Sequence, residues 1–248
     1  MKVFTKTDIG QTRSMNQDSL FTTENKSNGL KLYILADGMG GYKGGEIASK
    51  VAVTAVSKYI NEKFDEISKD KQSILDLIED SISFANSTIY EESEEDEELQ
   101  DMGTTLEVLL IYKNKVYIGH IGDSRIYRVR KNKIKKITTD HSYVEKLIQD
   151  GEITREESYN HPKKNLLIKA LGTDEEVEPD ILYTVLNKND VLLMCSDGLT
   201  NMVREEEILN VILNEKENEQ KDLTEILVDK ANMAGGLDNI SVIIIDNR

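Results

Sequence analysis

Residues 31–36, Lys-Leu-Tyr-Ile-Leu-Ala, form a short apolar run rich in β-favouring side chains, which predicts a buried strand. The run leads directly into Asp37-Gly38-Met39-Gly40-Gly41-Tyr42-Lys43-Gly44-Gly45, with five glycines in the eight residues after Asp37. Beyond Gly45 the period changes. Ile47, Val51, Ala52, Ala55, Val56, Tyr59, Ile60 and Phe64 recur at helical spacing and mark one buried face. Asp37 is therefore expected where a strand stops, beside backbone that glycine leaves bare and free to turn tightly. An acid so placed suits a hard cation, a phosphate, or both. A phosphate-cradling P-loop is excluded, because Lys43 is followed by Gly44 rather than Ser or Thr. A plain Asp-Gly turn between strand and helix is the competing reading, and the rest of the chain decides between them.

A chain of 248 residues can bury a substantial core as one large domain or two small ones. No proline- or serine-rich linker divides it and no repeat is visible, so a single domain spanning 1–248 is expected. No apolar run approaches membrane-spanning length, and Met1-Lys2-Val3-Phe4 lacks the form of a secretory signal. With Cys195 as the lone cysteine, a reducing cytoplasm is the expected location, away from any membrane. The net charge of −15 argues against nucleic acid as a partner. Much of that excess lies in Glu91-Glu92-Ser93-Glu94-Glu95-Asp96-Glu97-Glu98, read as a solvated, mobile loop, with recognition of a partner there as the other reading.

Strands are expected at Lys2–Thr7 and Ser19–Thr23, and a second helix from Ser73 to Tyr90 with Ile74, Leu77, Ile78, Ile82 and Ile89 inward. Four strands from Thr104 to Ile137, with turns at Asn114 and Asn132, read as a β-meander. A short helix follows at Tyr143–Gln149, then a stretch to Asn165 without clear period. A buried strand at Val191–Cys195, helices at Glu205–Leu213 and Leu223–Met233, and a closing strand at Ile240–Ile245 complete an α+β layered sandwich.

The informative pattern is repetition. Asp37 and Asp197 each end a predicted strand and Asp238 begins one, so antiparallel pairing can gather all three at one sheet edge. Asp123, in Gly122-Asp123-Ser124-Arg125, is a candidate fourth. Several acids gather only if protons or cations neutralise them. With oxygen ligands and no Cys or His in these motifs, the expected ion is Mn²⁺ or Mg²⁺ rather than Zn²⁺.

Arg13-x-x-Asn16-Gln17-Asp18, Asp37-Gly-Met-Gly-Gly41, Gly103-Thr104-Thr105, Gly122-Asp-Ser-Arg125, Asp140-His141-Ser142, Ser196-Asp197-Gly198 and Asp238-Asn239 occur together and in this order. The series resembles the metal-dependent, protein phosphatase 2C-like protein phosphatases, in particular their compact bacterial form, from Arg13 to Asn239. The resemblance implies a four-layer α/β/β/α sandwich of two mostly antiparallel sheets flanked by helix pairs, with a flap at about 143–166. It implies that Asp37 bridges two ions, with the Gly38 carbonyl on one, while Asp197 and Asp238 hold the other. Asp18 would orient metal-bound waters, with Asn239 behind the ligands, and Arg13 would grip the substrate phosphate. Asp123, with Asp197, would hold a weaker third ion, and His161 would be a flap residue that touches substrate.

The implied activity is hydrolysis of phosphoserine and phosphothreonine in proteins by in-line attack of a metal-bridging hydroxide. A monomer opposing a separate Ser/Thr kinase is expected. Two rivals stand beside it: a phosphatase dedicated to one regulatory protein of an anti-sigma pathway, and a pseudophosphatase that binds phosphoproteins without turnover. Met39 stands where many eukaryotic members carry a histidine, so the leaving-group proton must come from elsewhere, with a water on the third ion as the expected source. Cys195 lacks an arginine six positions on, where Asn201 stands, and reads as a buried strand residue. His120 and His141 read as hydrogen-bonding residues near the site.

Overall fold

The computed structural model describes residues 1–25, 27–40, 43–214 and 222–248; Gly41 and Tyr42 of the glycine loop lie outside them. Two antiparallel sheets stack face to face. The first runs β1 (Lys2–Asp8), β11 (Ile240–Asp246), β10 (Val191–Cys195), β7 (Arg125–Arg130) and β8 (Lys133–Lys136). The second runs β2 (Asp18–Glu24), β3 (Leu30–Met39), β5 (Leu106–Tyr112), β6 (Lys115–Ile121) and β9 (Asp180–Val185), with β4 (Gly103–Thr104) on the end of β3. Helices α1 (Gly44–Lys63) and α2 (Lys71–Glu95) cover the second sheet; α6 (Glu205–Leu213) and α7 (Leu223–Met233) cover the first. The result is the expected α/β/β/α sandwich.

Strand β3 shows why the apolar run has to be continuous. Leu32, Ile34 and Ala36 face the α1–α2 layer, while Tyr33 and Leu35 alternate into the space between the sheets. There they meet Leu109, Ile118, Leu192, Met194, Ile243 and Ile245. Both faces are buried, so no polar alternation survives. Helix α2 starts at Asp70, whose carboxylate accepts from the Ser73 N–H, and Ile74, Leu77, Ile78, Ile82 and Ile89 all turn inward.

Several expectations need correcting. The strands from 104 to 137 do not form one meander: β5–β6 belongs to one sheet and β7–β8 to the other. The chain crosses between sheets at Gly122-Asp123-Ser124, which puts Asp123 at the seam. The acid run is not one solvated loop either. Helix α2 continues to Glu95 and a 3-10 turn spans Glu97–Leu99, because Ile89 and Ser93 still find buried positions. Strand β9 had no counterpart in the expected pattern; it is an edge strand whose residues 180–184 are only half-buried, which blurs its alternation. Strand β8 is an edge of the other sheet, and its exposed Lys133 and Lys135 discourage pairing with a further strand.

Far from the carboxylates, Asp190 ties β7 to the β9–β10 turn. It accepts from Arg130 Nε at 2.7 Å and Nη2 at 2.6 Å, and from the Asn187 N–H at 2.7 Å. Burial alone would raise its pKa, but Arg130 and the Asn187 N–H outweigh burial and hold the carboxyl below its usual range. A depressed carboxylate contributes stability above the unfolded-state pKa and loses it as pH falls through the folded one. Arg130→Ala is therefore expected to cost about 2–3 kcal/mol in urea unfolding at pH 7, with a smaller penalty near pH 3. An equal penalty at both pH values would show that packing, not the ion pair, is what Arg130 supplies.

Candidate metal centre

Asp37 is held by its backbone. Its N–H donates to Thr105 Oγ1 at 3.0 Å, and its carbonyl accepts from the Thr105 N–H and Thr104 Oγ1, each at 2.9 Å. With both main-chain groups satisfied by Gly103-Thr104-Thr105, the carboxylate is left to face the end of the sandwich. The next residue must be glycine: a Cβ on Gly38 would lie 1.9 Å from the carbonyl oxygen of Gly45, at the start of α1. Strand β3 runs two residues past Asp37, to Met39, rather than stopping at it.

Asp18 lies directly across the β2–β3 pair from Asp37. Its Oδ2 accepts from Ser196 Oγ at 2.9 Å, and Ser196 Oγ in turn accepts from the Ser241 N–H. Asn239 fastens the preceding segment. Its Nδ2 donates to the carbonyls of Ile9 and Met15 at 3.0 and 2.9 Å, and its Oδ1 accepts from the Gln17 N–H at 2.8 Å. Asp197 follows β10 and Asp238 precedes β11, neighbours in the other sheet. Gly198 packs so tightly on Asn239 that a Cβ would sit 2.0 Å from its carbonyl oxygen. The acids thus meet across the ends of both sheets, not along one sheet edge as the pattern suggested.

Their electrostatics record the crowding. Burial pushes Asp37 well above the usual carboxylate range, with Asp18, Asp197, Asp123 and Asp238 adding repulsion. Burial likewise raises Asp18 to about 7, and burial with Asp238 raises Asp197 to about 6. Asp123 is driven well up by burial, Asp197 and Asp140. Asp18 Oδ1 and Asp197 Oδ1 are buried without a hydrogen-bond partner. Such oxygens, in an all-oxygen donor set, fit hard divalent cations.

Among the described residues, the one cation in direct contact with an acid of this set is Arg13, whose Nη2 donates to Asp238 Oδ2 at 2.8 Å with the Arg13 side chain 48% exposed. Asn201 Nδ2 steadies Asp197 Oδ2 at 2.9 Å.

A cleft of about 470 Å³ opens on the Asp123–Asp197 side. One wall is segment 143–166, for which a flap role was expected, with α3 (Tyr143–Gln149) capped by Ser142 and α4 (Arg155–Ser158) by a Thr154–Glu157 capping box. Helix α4 was missed, although Thr-x-x-Glu is legible as a start signal. Within this segment the Arg155–Glu145 ion pair ties α3 to α4, and Arg204, stacked 3.6 Å over the Tyr159 ring, joins the segment to the start of α6. His161 does not line the cleft: it lies against Tyr143, with ring centroids 6.0 Å apart. His120 and His141 are buried hydrogen-bonding residues, as expected.

Thr104, Thr105, Ser196 and Asn201 had no assigned role from sequence, although the first three sit inside quoted motifs. Thr105→Val leaves the Asp37 N–H without its acceptor and is expected to lower stability by about 1–3 kcal/mol. Thr105→Ser, which keeps the hydroxyl, should recover at least half of that in denaturant melts; no difference between the two would remove the hydroxyl from the account.

Comparison with known proteins follows the geometry. The family model described as protein phosphatase 2C matches residues 10–228. A putative protein phosphatase 2C-type of Streptococcus pyogenes is 39% identical over 249 residues, covering 100% of this chain and 98% of that protein. The serine/threonine phosphatase stp of Listeria welshimeri is 37% identical over 98% of this chain and 94% of its own. The solved serine/threonine phosphatase of S. agalactiae superposes with a TM-score of 0.90 at 38% identity, covering 100% of this chain and 99% of that one. The catalytic domain of the serine/threonine protein phosphatase PstP, solved with two manganese ions, gives 0.84 at 32% identity over 99% and 97%. With a matching model over most of its length and full-length relatives above this identity, the chain belongs to the protein phosphatase 2C family.

Proposed function

We propose that Asp37, the Gly38 carbonyl, Asp197 and Asp238 hold two Mn²⁺ or Mg²⁺ ions, and that Asp123 with Asp197 holds a third, weaker one. The enzyme removes phosphate from phosphoserine and phosphothreonine in proteins. The observation that carries this reading is the convergence of five carboxylates from both sheets, with buried oxygens on Asp18 and Asp197 left unpartnered. When bound, the ions supply charge neutralisation, Lewis acidity toward the phosphoryl oxygens and an activated water.

The chain's own residues do the rest. Arg13 presents a planar fork that matches two phosphate oxygens, as a lysine would not. Its pair with Asp238 is exposed, and such a pair is worth at most about 1 kcal/mol, so the guanidinium is free to exchange onto a phosphate. Ser196 fixes the rotamer of Asp18, and Asn201 that of Asp197. Met39 carries no proton to give, so the departing alkoxide is not protonated from residue 39. His161, against Tyr143 on the flap, reaches substrate only if the flap shifts.

The chain reads as one domain with a flap at 143–166, acting as a cytoplasmic monomer opposite a separate Ser/Thr kinase. The lone buried thiol of Cys195 supports the reducing location. Among the described residues no helix is long and apolar enough to cross a membrane. The two rivals gain no support. All the acids that the resemblance assigns to metal are present, which disfavours a pseudophosphatase. The relatives above are named for serine/threonine phosphatase or 2C-type activity, not for one regulatory partner.

Activity on a phosphothreonine peptide is expected to need added Mn²⁺ or Mg²⁺, and Asp37→Asn or Asp238→Asn should remove nearly all of it while the protein still folds. Full turnover in excess EDTA after dialysis would overturn the assignment. Arg13→Ala should raise KM more than it lowers kcat, as expected of a group that binds ground state and transition state alike. A change confined to kcat would place Arg13 in the transition state only.

A further inference from the structure

His120, His141 and Asp180 each bring a ligand atom within 4.8 Å of the others, the geometry of a possible metal cluster. The hydrogen bonds assign them another task. His120 Nε2 lies 2.8 Å from the Thr139 carbonyl, which only accepts, so that nitrogen carries a proton. His120 Nδ1 meets Glu107 Oε1 at 2.5 Å, both side chains fully buried. On His141, Nδ1 accepts from the Gly122 N–H at 3.2 Å, which leaves the ring proton on Nε2, facing Asp180 Oδ2 at 3.4 Å. Three of the four ring nitrogens are therefore engaged by groups that would have to be displaced for a metal to bind.

The grip of His141 on Gly122 is double. While the ring takes the Gly122 N–H, the His141 main-chain N–H donates to the Gly122 carbonyl at 2.7 Å. Gly122 sits at φ +103°, and a Cβ there would lie 2.5 Å from the Thr105 methyl. The turn that carries Asp123 is thus a crossover between the sheets that needs glycine, fixed at that one residue through both its N–H and its carbonyl. The His120 ring, 4.6 Å away, backs the His141 ring, and Asp180 holds its far nitrogen. On the other side of Asp123, Ser124 Oγ meets Thr105 Oγ1 at 2.9 Å, the same hydroxyl that accepts from the Asp37 N–H.

We propose that His141 is a positioning residue: by holding both the N–H and the carbonyl of Gly122 it aims Asp123 into the carboxylate cluster. This rests on the reading of Asp123 as a metal ligand given above. Partners that orient a ligand from outside typically contribute tenfold or more to metal affinity. An asparagine places its Oδ1 near the position of Nδ1 and can keep the Gly122 bond; a glutamine, which mimics Nε2, cannot.

The experiment compares His141→Asn with His141→Gln, alone and in an Asp123→Asn background. Two readouts are used: amide exchange at Gly122 by NMR in metal-free protein, and Mn²⁺ binding by calorimetry. His141→Gln should lose at least tenfold of the Gly122 protection and weaken the weakest Mn²⁺ class about tenfold, while His141→Asn stays within threefold on both. With Asp123→Asn present, His141→Gln should add no further Mn²⁺ deficit. Should His141→Gln not fold, Asp180→Asn loosens the same ring from its other nitrogen and goes through the same cycle. The proposal is overturned by wild-type Gly122 protection and Mn²⁺ binding in His141→Gln, by equal impairment of both His141 variants, or by a deficit that adds in full to Asp123→Asn. Loss of protection as expected in a protein that binds no Mn²⁺ even as wild type would instead overturn the metal assignment and leave the clasp standing.

Discussion

Mutual repulsion among Asp18, Asp37, Asp123, Asp197 and Asp238 is the constraint around which this molecule is built. Asp18, Asp37, Asp123 and Asp197 are each pushed upward, with burial as the first cause and a neighbouring acid among the rest. A fold left to maximise its own stability would not gather them. That they are gathered, with two buried carboxylate oxygens unpartnered, is the mark of a site made to be completed by cations.

Holding such a set together falls to the neighbours. Thr104 and Thr105 satisfy the Asp37 backbone, Ser196 fixes Asp18, Asn201 steadies Asp197, and Asn239 stitches the segment before Asp18 to the start of β11. Glycines 38 and 198 allow backbone approaches that any side chain would block. These contacts link the two sheets at the same end, so the sandwich seam and the site are one feature. Segment 143–166 is joined to this frame separately, by Arg204 on the Tyr159 ring, while Arg155–Glu145 ties its own two helices together.

Much of this was legible in the sequence. Strand β3 and the inward faces of α1 and α2 follow from period alone, and the acids at strand ends point to the carboxylate cluster without any family resemblance. The crossover between sheets at Gly122 was not legible, because short turns between apolar strands read alike whether the strands pair or part. Strand β9 escaped because an edge strand half-buried along most of its length shows weak contrast. The acid run misled in the other direction: its charges suggested a loop, while Ile89 and Ser93 kept it helical to Glu95. Supporting hydroxyls such as Thr105 and Ser196 were present in quoted motifs, but their partners are distant in sequence and only the fold supplies them.

The central claim, that the cluster is strained alone and relieved by cations, is tested most directly by thermal unfolding of the wild type and Asp37→Asn with Mn²⁺ absent and then saturating. Removing one of the crowded charges should leave the metal-free variant at least as stable as the wild type, since the repulsion is lessened. Saturating Mn²⁺ should raise the wild-type Tm, as any ligand that binds only the native state does, and reverse the order of the two proteins. A wild-type Tm indifferent to Mn²⁺, with Asp37→Asn the less stable protein throughout, would contradict the account.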